Sequence, residues 1–136
     1  MFATLNRNLL KSIMLFDGVF SLATAGLLFA FSGPISGLIS PLAAPGILLA
    51  FAVFFLFWGG FHLAVGRQEQ PSPSAVRFAI TGDALWVLGS LAVLVLGHGS
   101  LTAAGMGLIA VAAVAVADIL LIKQIGLGRQ RKALLA

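Results

Sequence analysis

Residues 11–31 read KSIMLFDGVFSLATAGLLFAF: a basic residue, then twenty positions in which Asp17 is the single charge. A helix that crosses a bilayer needs about 20 predominantly apolar residues, so this stretch predicts a spanning helix with an acid in its early turns. Residues 77–96, RFAITGDALWVLGSLAVLVL, repeat the arrangement, with Arg77, five other residues and then Asp83. Two further apolar runs occupy about 44–64 and 102–122.

Composition agrees with this reading. Of the 136 residues, 60% are hydrophobic and 9% are charged, against about 25% charged in an average soluble domain. Such a chain cannot cover a water-facing surface. The expected fold is therefore all-α: an integral membrane four-helix bundle, one transmembrane domain over 1–136, with no soluble domain attached. The first run is longer than the roughly 7–15 residues of a signal-peptide core and is expected to be a retained helix. There is no cysteine, which removes disulfides, thiolate metal sites and thiol nucleophiles.

The connections differ in character. Residues 32–46, SGPISGLISPLAAPG, are uncharged and contain Pro34, Pro41 and Pro45, which predicts a loop with a short interfacial turn. GRQEQPSPSAVR (66–77) is polar, and GHGSLTAAG (97–105) is short. If the four runs span, all the basic residues fall on one side: Arg7 and Lys11 before the first run, Arg67 and Arg77 beside the second connection, and Lys123, Arg129, Arg131 and Lys132 after the fourth run. The positive-inside rule then predicts cytoplasmic N and C termini, in a membrane of the bacterial inner (plasma) type. The basic balance is topogenic. It points to the lipid bilayer and its anionic headgroups as partner, not to nucleic acid.

The echo between the halves continues. Thr24 and Ser90 each lie seven residues beyond an aspartate, and the second and fourth runs end in VGRQ (65–68) and LGRQ (127–130). This predicts two tandem hairpins, about 7–68 and 77–130, related as a parallel repeat. Shared composition at helix ends is the alternative.

Polar residues inside the runs are the candidate site. At 1.5 Å per residue, Asp17 and Asp83 lie about 9 Å beyond their basic flanks. Asp118 and His62 are each five residues from one. An intramembrane acid usually marks a function, so Asp17, Asp83, Asp118 and His62, with Thr24 and Ser90 on the same stripes, are the expected ligand-binding set, lining a polar cavity open to the cytoplasm. For His62 a packing or interfacial role is the stronger reading, with modulation of the acids as the other. The acids could equally be residues at the membrane edge that favour a helix N-terminus, an account that suits Asp17 and Asp83 and fails for Asp118.

Two function classes follow. One is a small carrier that binds a proton, a cation or an amphipathic substrate at these residues, and that needs to oligomerise to make a path. The other is an accessory subunit packed into a larger membrane complex through the phenylalanine-rich second helix or the Gly/Ala-rich fourth. Bulky changes at Gly105, Gly107 or Ala113 would damage the second. No catalytic constellation is present, which leaves a membrane enzyme third, and no cofactor is specified. A haem bridged by His62 and His98 is excluded, because the two lie a membrane thickness of about 30 Å apart.

Overall fold

The computed structural model describes residues 8–136; Arg7 and its topogenic role lie outside them. Four helices account for the regular structure of the described residues: α1 (Leu9–Ile39), α2 (Pro45–Gly66), α3 (Pro73–Leu96) and α4 (Ala103–Leu135). All four are long and apolar enough to cross a membrane. The predicted four-helix membrane bundle is what the chain forms. Large apolar side chains such as Phe57, Leu88 and Val111 face outward, as lipid rather than water requires.

The helices run alternately up and down. Ile39 and Thr102 meet at one end, where the Thr102 N–H donates to the Ile39 carbonyl (2.9 Å). Gln130 donates to the Pro71 carbonyl (2.9 Å) at the other, the end that carries the start of α1 and the finish of α4. Proline opens both α2 and α3, at a position where its missing N–H has no intrahelical partner to lose.

The first connection departs from expectation. α1 does break at Phe31 (φ −129°, ψ 26°), where the apolar run was predicted to end, but helix resumes and runs through Pro34 to Ile39. Pro34 falls in the first turn of the resumed segment, among N–H groups that lack an intrahelical acceptor in any case. It therefore permits the helix that was expected to stop.

Close packing is set by glycine. A Cβ on Gly59 would stand 2.9 Å from the Gly18 carbonyl oxygen, and one on Gly66 would stand 2.9 Å from the Leu15 side chain. These absences let α1 and α2 approach to backbone distance. Gly126 of α4 lies as closely on Leu10. α1 packs on both α2 and α4, and α4 on both α1 and α3, so these two are the inner helices of the bundle. On the Gly/Ala-rich α4, Gly105 and Gly126 serve this close packing, while Gly107 and Gly128 face open space. α2 and α3, in contrast, scarcely meet along their backbones.

Candidate functional site: a buried four-helix polar cluster

Each helix contributes one ionisable side chain to a common point. Asp17 comes from α1, His62 from α2, Asp83 from α3 and Lys123 from α4; all are buried, His62 and Lys123 completely. The Lys123 ammonium is the centre. It donates to Asp83 Oδ2 (2.6 Å), to Asp17 Oδ2, and to His62 Nε2 (2.8 Å). An ammonium has three donors and no acceptor, and here every donor has one acceptor from a different helix. Ser21, one turn after Asp17, adds a long contact from its hydroxyl to Asp17 Oδ1 (3.4 Å).

The histidine is held in one tautomer. Its Nδ1 lies 2.8 Å from the carbonyl oxygen of Trp58, one turn earlier on α2. A carbonyl can only accept, so Nδ1 carries the hydrogen. In the neutral ring Nε2 is then a lone-pair acceptor, which is what Lys123 needs. Nε2 is also 3.0 Å from Asp17 Oδ2. Adding a proton to Nε2 would exchange the first interaction for the second: the ring would stop accepting from Lys123 and donate to Asp17.

The site lies between two apolar zones. On the side of the chain termini, Leu10, Ile13, Met14, Val65, Val76 and Ala79 form the main core. Towards the loops the bundle continues through Ala25 and Ala52, which are also buried. The open side is lateral. A cleft of about 720 Å³ separates α2 from α3, with Asp17, Ser21 and Asp83 on its floor and Phe51, Phe55, Trp58 and Trp86 among its walls. The sequence predicted a cavity open at the end with the basic residues; the observed opening faces the bilayer instead, because the core residues before Asp17 and Asp83 close that end.

The predicted residues separate into two groups. Asp17, Asp83 and His62 come together, each offering a ligand atom within 4.8 Å of the others. That spacing would suit a metal ion, but the Lys123 ammonium fills the space between the three atoms. Asp118, Thr24 and Ser90 do not join them. Asp118 is exposed on the outer face of α4, because five residues turn the helix through about 500°, or 140° away from Lys123. Thr24 returns its hydroxyl to the Phe20 carbonyl of its own helix (2.9 Å). Ser90 is half-buried on α3, two turns beyond Asp83.

Lys123 was missed. Its place after the fourth run groups it with the topogenic bases, yet it is wholly enclosed. Its sequence context carried the signal. Ile119–Ile122 precede it, Ile125 and Leu127 follow, and the basic run starts only at Arg129, so Lys123 stands inside the apolar stretch. Two inward carboxylates also demand a cation in low dielectric. Compared with known proteins, the chain matches no family model, no curated sequence and no solved structure, so its function has to be read from these side chains.

Proposed function

We propose that the chain is a small membrane carrier whose Asp17–His62–Asp83–Lys123 cluster takes up one proton in exchange for a cation. One observation carries this reading: two buried carboxylates face a single buried ammonium, which leaves one negative charge when His62 is neutral. A lone charge in a water-poor bundle is costly, so the cluster favours one more positive charge. His62 Nε2 is placed to receive it as a proton, and the imidazolium would then pair with Asp17. Because the four groups belong to four helices, the exchange of partners acts on helix packing directly. With cytoplasmic termini, the cluster would sit in the cytoplasmic half of the bilayer. Two aspartates converging on one lysine also suit two tandem hairpins.

The test is proton stoichiometry. Potentiometric titration of the purified protein in nanodiscs, in a His98→Gln background that removes the exposed histidine of the 97–105 loop, is expected to show the uptake of one proton per chain by the cluster. His62→Gln should abolish it by removing the acceptor, and Asp83→Asn by making the cluster neutral beforehand. Asp118→Asn should retain it. Persistence of the uptake in both cluster variants would refute the reading.

A second reading, assembly with a second copy, is favoured by Asp118. A carboxylate facing lipid costs about 2.5–3.5 kcal/mol near a helix centre on insertion scales, less towards the edge. Asp118 lies in a stripe of exposed residues, Gly107, Val111, Val114, Asp118, Leu121 and Ile125, spaced alternately by four and three. That is the seam of a helix pair, and a second α4 in the same orientation would bring two Asp118 carboxyls together to share a proton. The cysteine-free chain makes the test simple. Val114→Cys is expected to give an oxidative covalent dimer in membranes, and Val95→Cys, on the exposed face of α3, none. Absence of dimer from Val114→Cys would count against self-association through α4.

A further inference from the structure

The α2–α3 cleft has the walls and floor of a binding site in its own right. Its volume, about 720 Å³, lies within the roughly 300–1,000 Å³ typical of small-molecule clefts. The aromatic walls are ordered against one another: Phe51 and Phe55 set their edges on Trp86 at centroid distances of 5.5 and 5.0 Å. The Trp58 ring lies over the backbone of Gly82, where a Cβ would come within 2.4 Å of it. These rings bridge the gap that the two backbones leave open.

The floor supplies the charge. Asp83 gives Oδ2 to Lys123 (2.6 Å), and Oδ1 receives no hydrogen bond among the described residues. The residue is 4% exposed and lines the cleft, so its free oxygen is presented there. A lipid chain filling the cleft would leave that oxygen against hydrocarbon. An anion would be repelled by Asp17 and Asp83 together. A small hydrated metal ion would have to shed its water against aromatic walls. A cation with an apolar body satisfies both halves of the site, its charge held by the carboxylate and the ring faces and its body by the walls.

We propose that this cleft binds a lipophilic organic cation, of the quaternary ammonium or phosphonium class, which enters sideways from the bilayer between α2 and α3. The assignment rests on the reading of the cluster as short of one positive charge. Within it, Asp17, His62, Asp83 and Lys123 are the charged or titratable groups that α1, α2, α3 and α4 turn towards the floor, and a proton on the cluster and the organic cation are alternatives. Binding therefore weakens as pH falls.

Both tryptophans of the chain, Trp58 and Trp86, line the cleft, so intrinsic fluorescence reports its occupancy. The experiment titrates the full chain in nanodiscs with tetraphenylphosphonium, and separately with tetraphenylborate, which has the same shape and the opposite charge. A saturable tryptophan response to the cation alone is expected. Asp83→Asn should weaken it by about tenfold or more. Phe55→Leu, which leaves the buried cluster intact, should weaken it by about two- to fivefold. An equal response to both ions, or wild-type affinity in both variants, would overturn the proposal and assign the cleft to lipid chains. Cation binding that is saturable but independent of pH would uphold the site and remove the proton exchange. A proton step without cation binding would do the reverse.

Discussion

Lys123→Met is expected to destabilise the protein by about 3–5 kcal/mol, the usual cost of breaking a buried ion pair by removing one partner. Methionine keeps most of the side-chain volume, so little of the loss would come from packing. What remains after the substitution is a pair of carboxylates that no cation compensates, in a site from which water is largely excluded. The change should be read as a fall in the thermal midpoint of the purified protein, or as failure to accumulate in the membrane. Charge and packing can be separated by a second variant. Lys123→Met combined with Asp17→Asn and Asp83→Asn removes every formal charge from the cluster and should recover most of the lost stability, since replacing a whole buried ionic set is often neutral. If Lys123→Met alone were as stable as wild type, Lys123 would not be the counterion of the two aspartates.

The second large effect is expected at Gly105. A Cβ there would lie 2.3 Å from the Ile39 carbonyl oxygen and 2.7 Å from its Cα, and both obstacles are backbone. The neighbouring contacts leave little room to shift. Thr102 donates through its hydroxyl to Leu38 and through its N–H to Ile39, and Ser40 donates to the Ser100 carbonyl at 2.6 Å. Gly105→Ala should therefore cost about 1–3 kcal/mol, the range for forced overpacking. Gly107→Ala, where nothing stands within 4 Å, should be near neutral in the monomer. The two glycines were alike in the sequence, both in a Gly/Ala-rich helix and both named as sensitive. The comparison of their thermal midpoints measures how far that likeness misleads.

The legibility of the fold and of the site differ for a physical reason. Hydrophobic run length is a local property, and four runs of sufficient length specify four spanning helices without reference to any contact. Even Phe31, the last residue of the first apolar run, marks the break in α1. The inward direction of Asp17, Asp83 and His62 was partly legible because acids and imidazole are poorly tolerated against lipid. Lys123 was not, because a lysine near a helix end has two low-energy solutions, reaching outward to headgroups or inward to acids, and hydropathy does not choose between them. Asp118 shows the same limit from the other side: its depth was legible, but its azimuth about α4 depends on which face packs on α1 and α3. The small residues of α4 show the limit again. Glycine and alanine permit close approach wherever they occur, but only a partner surface uses it.

The burial of Lys123 also bears on how the protein is made. α4 has 33 residues, about 50 Å at 1.5 Å per residue, well beyond the roughly 30 Å of hydrocarbon. A newly inserted α4 can thus lie with Lys123 at the lipid–water boundary, where a lone ammonium is comfortable. Only when α1, α2 and α3 have brought two carboxylates and an imidazole together does a deeper register become favourable. Assembly would then draw the helix inward, so that membrane insertion and folding finish as a single event, and a chain lacking both aspartates would leave α4 waiting at the boundary, exposed to quality-control proteolysis.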